Sequence, residues 1–202
     1  MAKVKLTKTA LKQERDALKQ YTRFLPTLQL KKQQLQMEMR TCLDLIAENE
    51  KKEQEAKRSL DAWIRLFGDP ETAERIEANL SVREILTGRR NIAGVDVPSY
   101  NGVSFDVRNY DLFLEEPWLD DAIAAIRRIV EIRAEREIIR EQYRLIGNEL
   151  RVTTQRVNLF EKVKIPETKE NIRIIQIYMG DMDTTAVGRS KIAKRKLQEV
   201  AA

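Results

Sequence analysis

From Leu11 onward, apolar residues return on two interleaved positions of a seven-residue grid. Leu11, Leu18, Leu25, Met39, Ile46, Leu60 and Phe67 occupy one position, and Tyr21, Leu28, Leu35, Cys42, Ala56 and Trp63 the other. This spacing keeps one narrow stripe facing a partner helix, so it predicts a long helix committed to a coiled-coil seam. Glu14, Lys32, Asn49 and Glu53 fall on the same grid, and polar residues there serve to fix register rather than to add stability. Thr7 or Thr9 is placed to cap the start, and Gly68-Asp69-Pro70 to stop it. A helix of about 60 residues runs roughly 90 Å, at about 1.5 Å per residue. Pro26 predicts a kink or local break, because its ring removes a backbone donor and crowds the preceding turn.

The grid returns toward the other end, with Ile129, Tyr143, Leu150 and Val157 on one position and Ile132, Ile139, Ile146, Thr153 and Phe160 on the other. Arg136 is the intruder. The expected start follows Pro117, with Asp120 and Asp121 in the first turn where negative charge suits the helix dipole. Pro166 interrupts the pattern, but Ile172, Ile175, Met179 and Met182 keep a helical spacing beyond it. Two stripes of similar length bury each other most simply by packing antiparallel. The expected fold is therefore mainly α: a long antiparallel two-helix coiled coil formed by residues 1–67 and 118–202, within one structural domain. The termini would share one tip, and an insertion at 68–117 would form the opposite end.

The insertion has a different texture. Residues Glu71 to Glu84 predict one or two short helices, with Ser81 three residues before Glu84 as a capping box. Val95, Val97, Val103 and Phe105 lie in two partly alternating runs around Asn101-Gly102, a strong hairpin-turn dipeptide, which predicts a β-hairpin over 91–107. Its apolar side either docks a partner or packs back on the helices. Seven glycines, five prolines and 6% aromatic residues in 202 fit neither an all-β chain nor one large globular core.

Chemistry is constrained as much by what is missing. The chain has no histidine and one cysteine, Cys42, which removes the usual general base, the usual metal ligands and any internal disulfide. Gly180 to Gly188 has neither the spacing nor the lysine of a phosphate-binding loop. The acidic pairs at 115–116 and 120–121 sit where a helix dipole favours them. No enzyme activity, metal or cofactor is expected. No stretch reaches the roughly 18 apolar residues of a membrane span, and no leader is evident after Met1, so a cytoplasmic protein without direct membrane insertion is expected.

The net charge of +5 is unevenly spread: residues 1–60 carry 14 basic against 8 acidic side chains, and 61–118 carry 6 against 11. Lys3, Lys5 and Lys8 near one end and Arg189, Lys191, Lys194, Arg195 and Lys196 near the other form basic termini. A solvated helix end explains these as well as a binding site does. No aromatic residue is interleaved to stack on bases, so nucleic acid is not an expected partner.

Four segments carry a family resemblance: Lys5-Leu-Thr-Lys-Thr-Ala-Leu11, Leu25-Pro-Thr-Leu-Gln-Leu-Lys-Lys32, Thr154-Gln-Arg-Val-Asn-Leu-Phe-Glu161 and Ile165-Pro166. In this order and at this length, the chain resembles the D subunits of the V-type and archaeal A-type rotary ATPases. Its tail, Gly180-Asp-Met-Asp-Thr-Thr-Ala-Val-Gly188, resembles a bacterial branch more than the acidic eukaryotic tails. The resemblance implies a noncatalytic central-stalk rotor component that transmits torque between a hexamer of A and B subunits and ion translocation in a membrane ring. Its implied partners are the A and B subunits, the F subunit and the ring-capping subunit (C/d type). Its implied place is cytoplasmic, peripheral to the membrane. On that assignment the eight terminal cations are candidate hexamer-bearing contacts, and the hairpin with Val95, Val97, Asn101, Gly102, Val103 and Phe105 is a candidate docking element. Without the resemblance, a cytoplasmic coiled-coil adaptor or scaffold fits the same stripes.

Overall fold

The computed structural model describes residues 5–60, 76, 78–108 and 118–200. Helix α1 (Lys8–Leu60) is followed by strands β1 (Leu80–Ile92) and β2 (Val95–Val107), helix α2 (Leu119–Leu159), a π-helical turn (Phe160–Lys164) and helix α3 (Ile165–Val200). The protein is mainly helical, with one two-stranded antiparallel sheet between its helices.

Helix α1 starts where the sequence caps it: the Ala10 N–H donates to Thr7 Oγ1 at 3.2 Å. It contains no glycine and ends with Lys57 and Arg58 in its last turn, where cations complement the dipole. Helical assignment continues through Pro26, so the expected break is not found. Both Pro26 and Thr22, whose carbonyl loses its donor, are exposed, so the missing bond falls on the solvent side of the helix rather than in the seam. Burial along α1 follows an unbroken three–four alternation from Leu11 to Leu60, with Glu14, Lys32, Asn49 and Glu53 in step with the apolar positions. Trp63, Phe67 and the 68–70 stop signal lie outside the described residues. Helix α2 begins after Trp118 with Asp120 and Asp121 in its first turn.

The chain divides into two compact units, one of residues 33–151 and the other of residues 1–32 with 152–202. In the first, Leu35 and Cys42 of α1 meet Ile139 and Ile146 of α2 in one cluster, and Ile92 and Val97 of the hairpin close it. Met39, Ile46, Tyr143 and Leu150 pack around this cluster, and Ile132 is buried nearby on α2. The direction is antiparallel, since Met39 lies beside Gly147 while Glu50 reaches Arg140 at 3.7 Å. A second cluster gathers Ile76, Leu119, Ala122 and Ile123.

In the other unit the rings of Tyr21 and Phe160 lie 5.3 Å apart, and Asn171 Nδ2 donates to Glu14 Oε1 at 3.2 Å. This pairing is also antiparallel. Leu11, Leu18, Leu25 and Leu28 are half-buried, and Val157, Thr168 and Ile175 are buried.

Between Thr153 and Thr168, both buried, the spacing exceeds two heptads by one residue. That residue is absorbed by the π-helical turn, where the Ile165 N–H donates to the Phe160 carbonyl. Pro166 follows directly, and a proline ring crowds the carbonyl four residues earlier, so a widened turn at that point relieves the clash. The interruption expected at Pro166 is thus one wide turn within a continuing helix, after which Thr168 and Ile175 resume the seven-residue spacing.

The hairpin departs from its expected form. It spans residues 80–107, and its turn is Ala93-Gly94, with Ala93 at φ 50° and Gly94 at φ 80°. Two successive positive φ values suit a tight two-residue connection. Asn91 braces it, accepting the Gly94 N–H at 3.0 Å and donating to Asp96 Oδ1 at 2.6 Å. Asn101-Gly102 is not the turn. Leu86 pairs with Gly102 and Thr87 with Tyr100, so Asn101 is the extra residue of a bulge beside Gly102 at φ 132°. A bulge draws on the same conformational freedom as a turn, which is why the dipeptide misleads. Ser81 and Glu84 lie in β1 rather than at a helix start, and Ser81 Oγ donates across to the Asp106 carbonyl at 3.5 Å. Of the short helices expected over 71–84, residues 76, 78 and 79 are helical, 80–84 are strand, and the remainder lies outside the described residues.

Candidate interaction surfaces

Two of the polar intruders in the seam meet each other. Glu53 of α1 is buried, and its carboxylate accepts Arg133 Nε at 2.9 Å and pairs with Lys57 Nζ at 2.9 Å and with Arg136, the intruder of α2. The Lys57 ammonium first, then the two guanidinium groups, hold the Glu53 carboxyl down at about 2, against the desolvation that pushes the other way. Arg136 Nε is buried without a hydrogen-bond partner among the described residues. A pair of this kind adds little net stability but penalises any stagger that separates the two charges.

The hairpin turns its β2 side inward. Val97 is buried and Val95 packs against the main cluster, so both serve the core. Gln142 Nε2 donates to the Pro98 carbonyl at 2.6 Å, and the Arg127 guanidinium lies 5.0 Å from the centre of the Phe105 ring. Val103 and Phe105 are half-buried, Gly102 is half-buried and Asn101 is exposed. The exposed apolar residues of the hairpin are others: Val82, Ile85 and Leu86 on β1, and Val107 at the end of β2. Strict alternation hides these, because a second bulge between Val82 and Glu84 shifts the pleat of β1.

Among the basic residues, Lys5 and Lys8 lie at the start of α1, Arg189, Lys191, Lys194, Arg195 and Lys196 lie on α3, and all seven are exposed. Lys3 lies outside the described residues. Both groups belong to the same unit, but the two helix ends are not level. Glu14 sits opposite Asn171, which puts the start of α1 level with about residue 177. The five C-terminal cations are therefore well past it, on a stretch where every residue from 180 to 199 is exposed. Among the described residues, α3 continues beyond the level at which α1 starts. Arg195 pairs with Glu199 at 3.5 Å.

No group of three or more potential metal ligands occurs among the described residues, and no helix there is long and apolar enough to cross a membrane. The described residues thus form paired helices with a buried ion cluster between them, a hairpin packed against them and a helical stretch that is exposed throughout. The sequence profile of the ATP synthase D subunit matches residues 10–195. The V-type ATP synthase D subunit of Borreliella burgdorferi is 41% identical over 98% of this chain and 96% of that protein. The protein of the same name in Chlamydia trachomatis is 35% identical over 98% of both chains, and that in Chlamydia pneumoniae 34% over 96% and 93%. The chain belongs to the ATP synthase D-subunit family, the noncatalytic central-stalk components of rotary ATPases.

Proposed function

We propose that the chain is the rotating shaft of a V/A-type ATPase, carrying torque between a hexamer of A and B subunits and the ion-translocating ring. It acts peripherally at the cytoplasmic face, with the F subunit and the ring-capping subunit bound along it. The observation that carries this reading, beside the family, is the seam. An element that transmits torque has to resist slip between its helices, and α1 keeps its three–four alternation from Leu11 to Leu60 while Glu53 and Arg136 oppose a change of stagger. The surfaces that enter the hexamer carry the exposed Lys5, Lys8, Arg189, Lys191, Lys194, Arg195 and Lys196, together with Lys3 of the N-terminal sequence. Long-range attraction to acidic walls holds a shaft there without bonds that rotation would have to break. The hairpin docks a partner through Val82, Ile85 and Leu86, the apolar residues that the helices leave exposed.

Purification of the tagged protein from its native cells tests the reading. Recovery of A, B and F subunits with ATPase activity is the expected result, and their absence from gently solubilised material would overturn it. Replacing residues 83–105 by a short loop should alter the hydrolysis rate or partner recovery; unchanged values for both would leave the hairpin a purely structural element.

A further inference from the structure

The hairpin is fastened at its two ends and only loosely between them. At its base, Leu80 packs against the cluster of Ile76, Leu119 and Ala122, and the Arg108 N–H donates to the Asn79 carbonyl at 3.1 Å. Toward its turn, Ile92 and Val97 are the two residues of the ribbon that are buried, and both belong to the cluster of Leu35, Cys42, Ile139 and Ile146. Between these ends every residue from 81 to 87 is exposed, and Val103 and Phe105 on the other strand are half-buried. The ladder is interrupted in the same stretch, because Asn101 is the extra residue of a bulge beside Gly102 at φ 132°. A bulge leaves one residue unpaired and bends its strand, so it is the natural place for the ribbon to flex.

Beyond the bulge, the seat of the turn segment is small. Apart from Ile92 and Val97 it has the partly buried Ala93 and Val95, and the hydrogen bond at 2.6 Å from Gln142 Nε2 to the Pro98 carbonyl. A gap of about 260 Å³ borders it, lined by Gln34 and Glu38 of α1 and by Arg90 and Asn91 of the hairpin. Under this seat lies the one thiol of the chain. Burial pushes the Cys42 thiol up, as does the Glu38 carboxylate, while Arg90 of the hairpin acts in the opposite direction. A segment held by so few buried contacts opens at a lower free energy than the helix pair it covers.

We propose that residues 87–100 form a hinged flap, closing on the helix pair through Ile92 and Val97 and lifting about the Asn101 bulge to uncover Cys42 and the apolar residues around it. This goes beyond the central-stalk reading and does not depend on it. A partner that grips the exposed Val82, Ile85 and Leu86 then has a two-state element to act on, since any difference in its affinity for the closed and lifted forms shifts the balance between them.

The sole cysteine makes the test direct, with the full-length protein and N-ethylmaleimide in limiting amount. Cys42 should be alkylated in native buffer at a rate that rises only weakly with urea below the unfolding transition, because lifting the flap exposes far less surface than unfolding. Val97→Ala should speed alkylation by about tenfold to a hundredfold, the span expected for truncating a side chain that only the closed form buries. Ile132→Ala removes a side chain buried on α2 outside the cluster that holds the hairpin, so it should lower the urea midpoint without a matching rise in the native rate. Joining Leu86 to Asn101 through a two-residue turn should give the fastest alkylation of all. Three results would overturn the flap: alkylation of wild type only with the full urea dependence of unfolding, equal acceleration by Ile132→Ala and Val97→Ala, or a shortened hairpin that reacts no faster than wild type.

Discussion

Replacing Glu53 by Ala would leave the half-buried Arg136 guanidinium, whose Nε is fully covered, without its carboxylate, and an uncompensated charge there is among the costlier defects a helix interface can carry. The expected loss is about 3 kcal/mol in urea unfolding. The double variant Glu53→Leu, Arg136→Leu should recover most of it, since two apolar side chains of similar size remove both charges together. Acid unfolding reports on the same cluster. The folded-state carboxyl at about 2 lies below its ordinary value, so its contribution is complete above the ordinary carboxylate range and is lost as pH falls toward 2. A series of melts between neutral pH and pH 2 should show this decline, and Glu53→Gln should flatten it. The sequence marks Glu53 and Arg136 as intruders on their own stripes, but spacing along one helix carries no information about the stagger against another. Their partnership is legible only once the helices are paired.

At the scale of elements, the strong periodicities are legible and the interruptions are not. A seam that repeats over many turns outweighs one unfavourable residue, which is why α1 passes through Pro26. In the hairpin, the two dipeptides that contain Gly94 and Gly102 offer competing turns, and the choice depends on which register lets Ile92 and Val97 reach the core. Gly94→Ala should therefore cost about 1 kcal/mol through its positive φ, measured by thermal unfolding. The π-helical turn makes a prediction of its own. Deleting Glu161 removes the extra residue and brings Thr153 and Thr168 into heptad spacing, but it also returns the Pro166 ring to a regular turn, so the deletion combined with Pro166→Ala should fold with little change in its melt. Deleting Arg151, within the regular part of α2, should instead move downstream seam residues off the interface and lower the unfolding midpoint by several degrees.

For the whole molecule, two stripes with one partner each leave antiparallel pairing as the simplest solution, and that much is legible from Leu11 and Ile146 alike. The unequal extent of α1 and α3 is not, because apolar residues such as Met182, Ile192 and Leu197 continue into a stretch that is exposed among the described residues. Truncation after Gly180 should therefore leave the melting temperature nearly unchanged, since no residue from 180 to 199 is buried, while reducing ATPase coupling in the reconstituted complex.

Because one unit consists of residues 33–151 and the other joins residues 1–32 to 152–202, the order of biosynthesis sets an order of assembly. Leu35, Cys42, Ile139 and Ile146 can all meet while the last fifty residues are still being added, whereas Glu14 has to wait for Asn171. During that interval the first thirty residues, already outside the ribosome, have their seam uncovered. A pause or premature stop late in the message would release a chain with its inner core complete and an adhesive leading end, a natural target for chaperones and proteases.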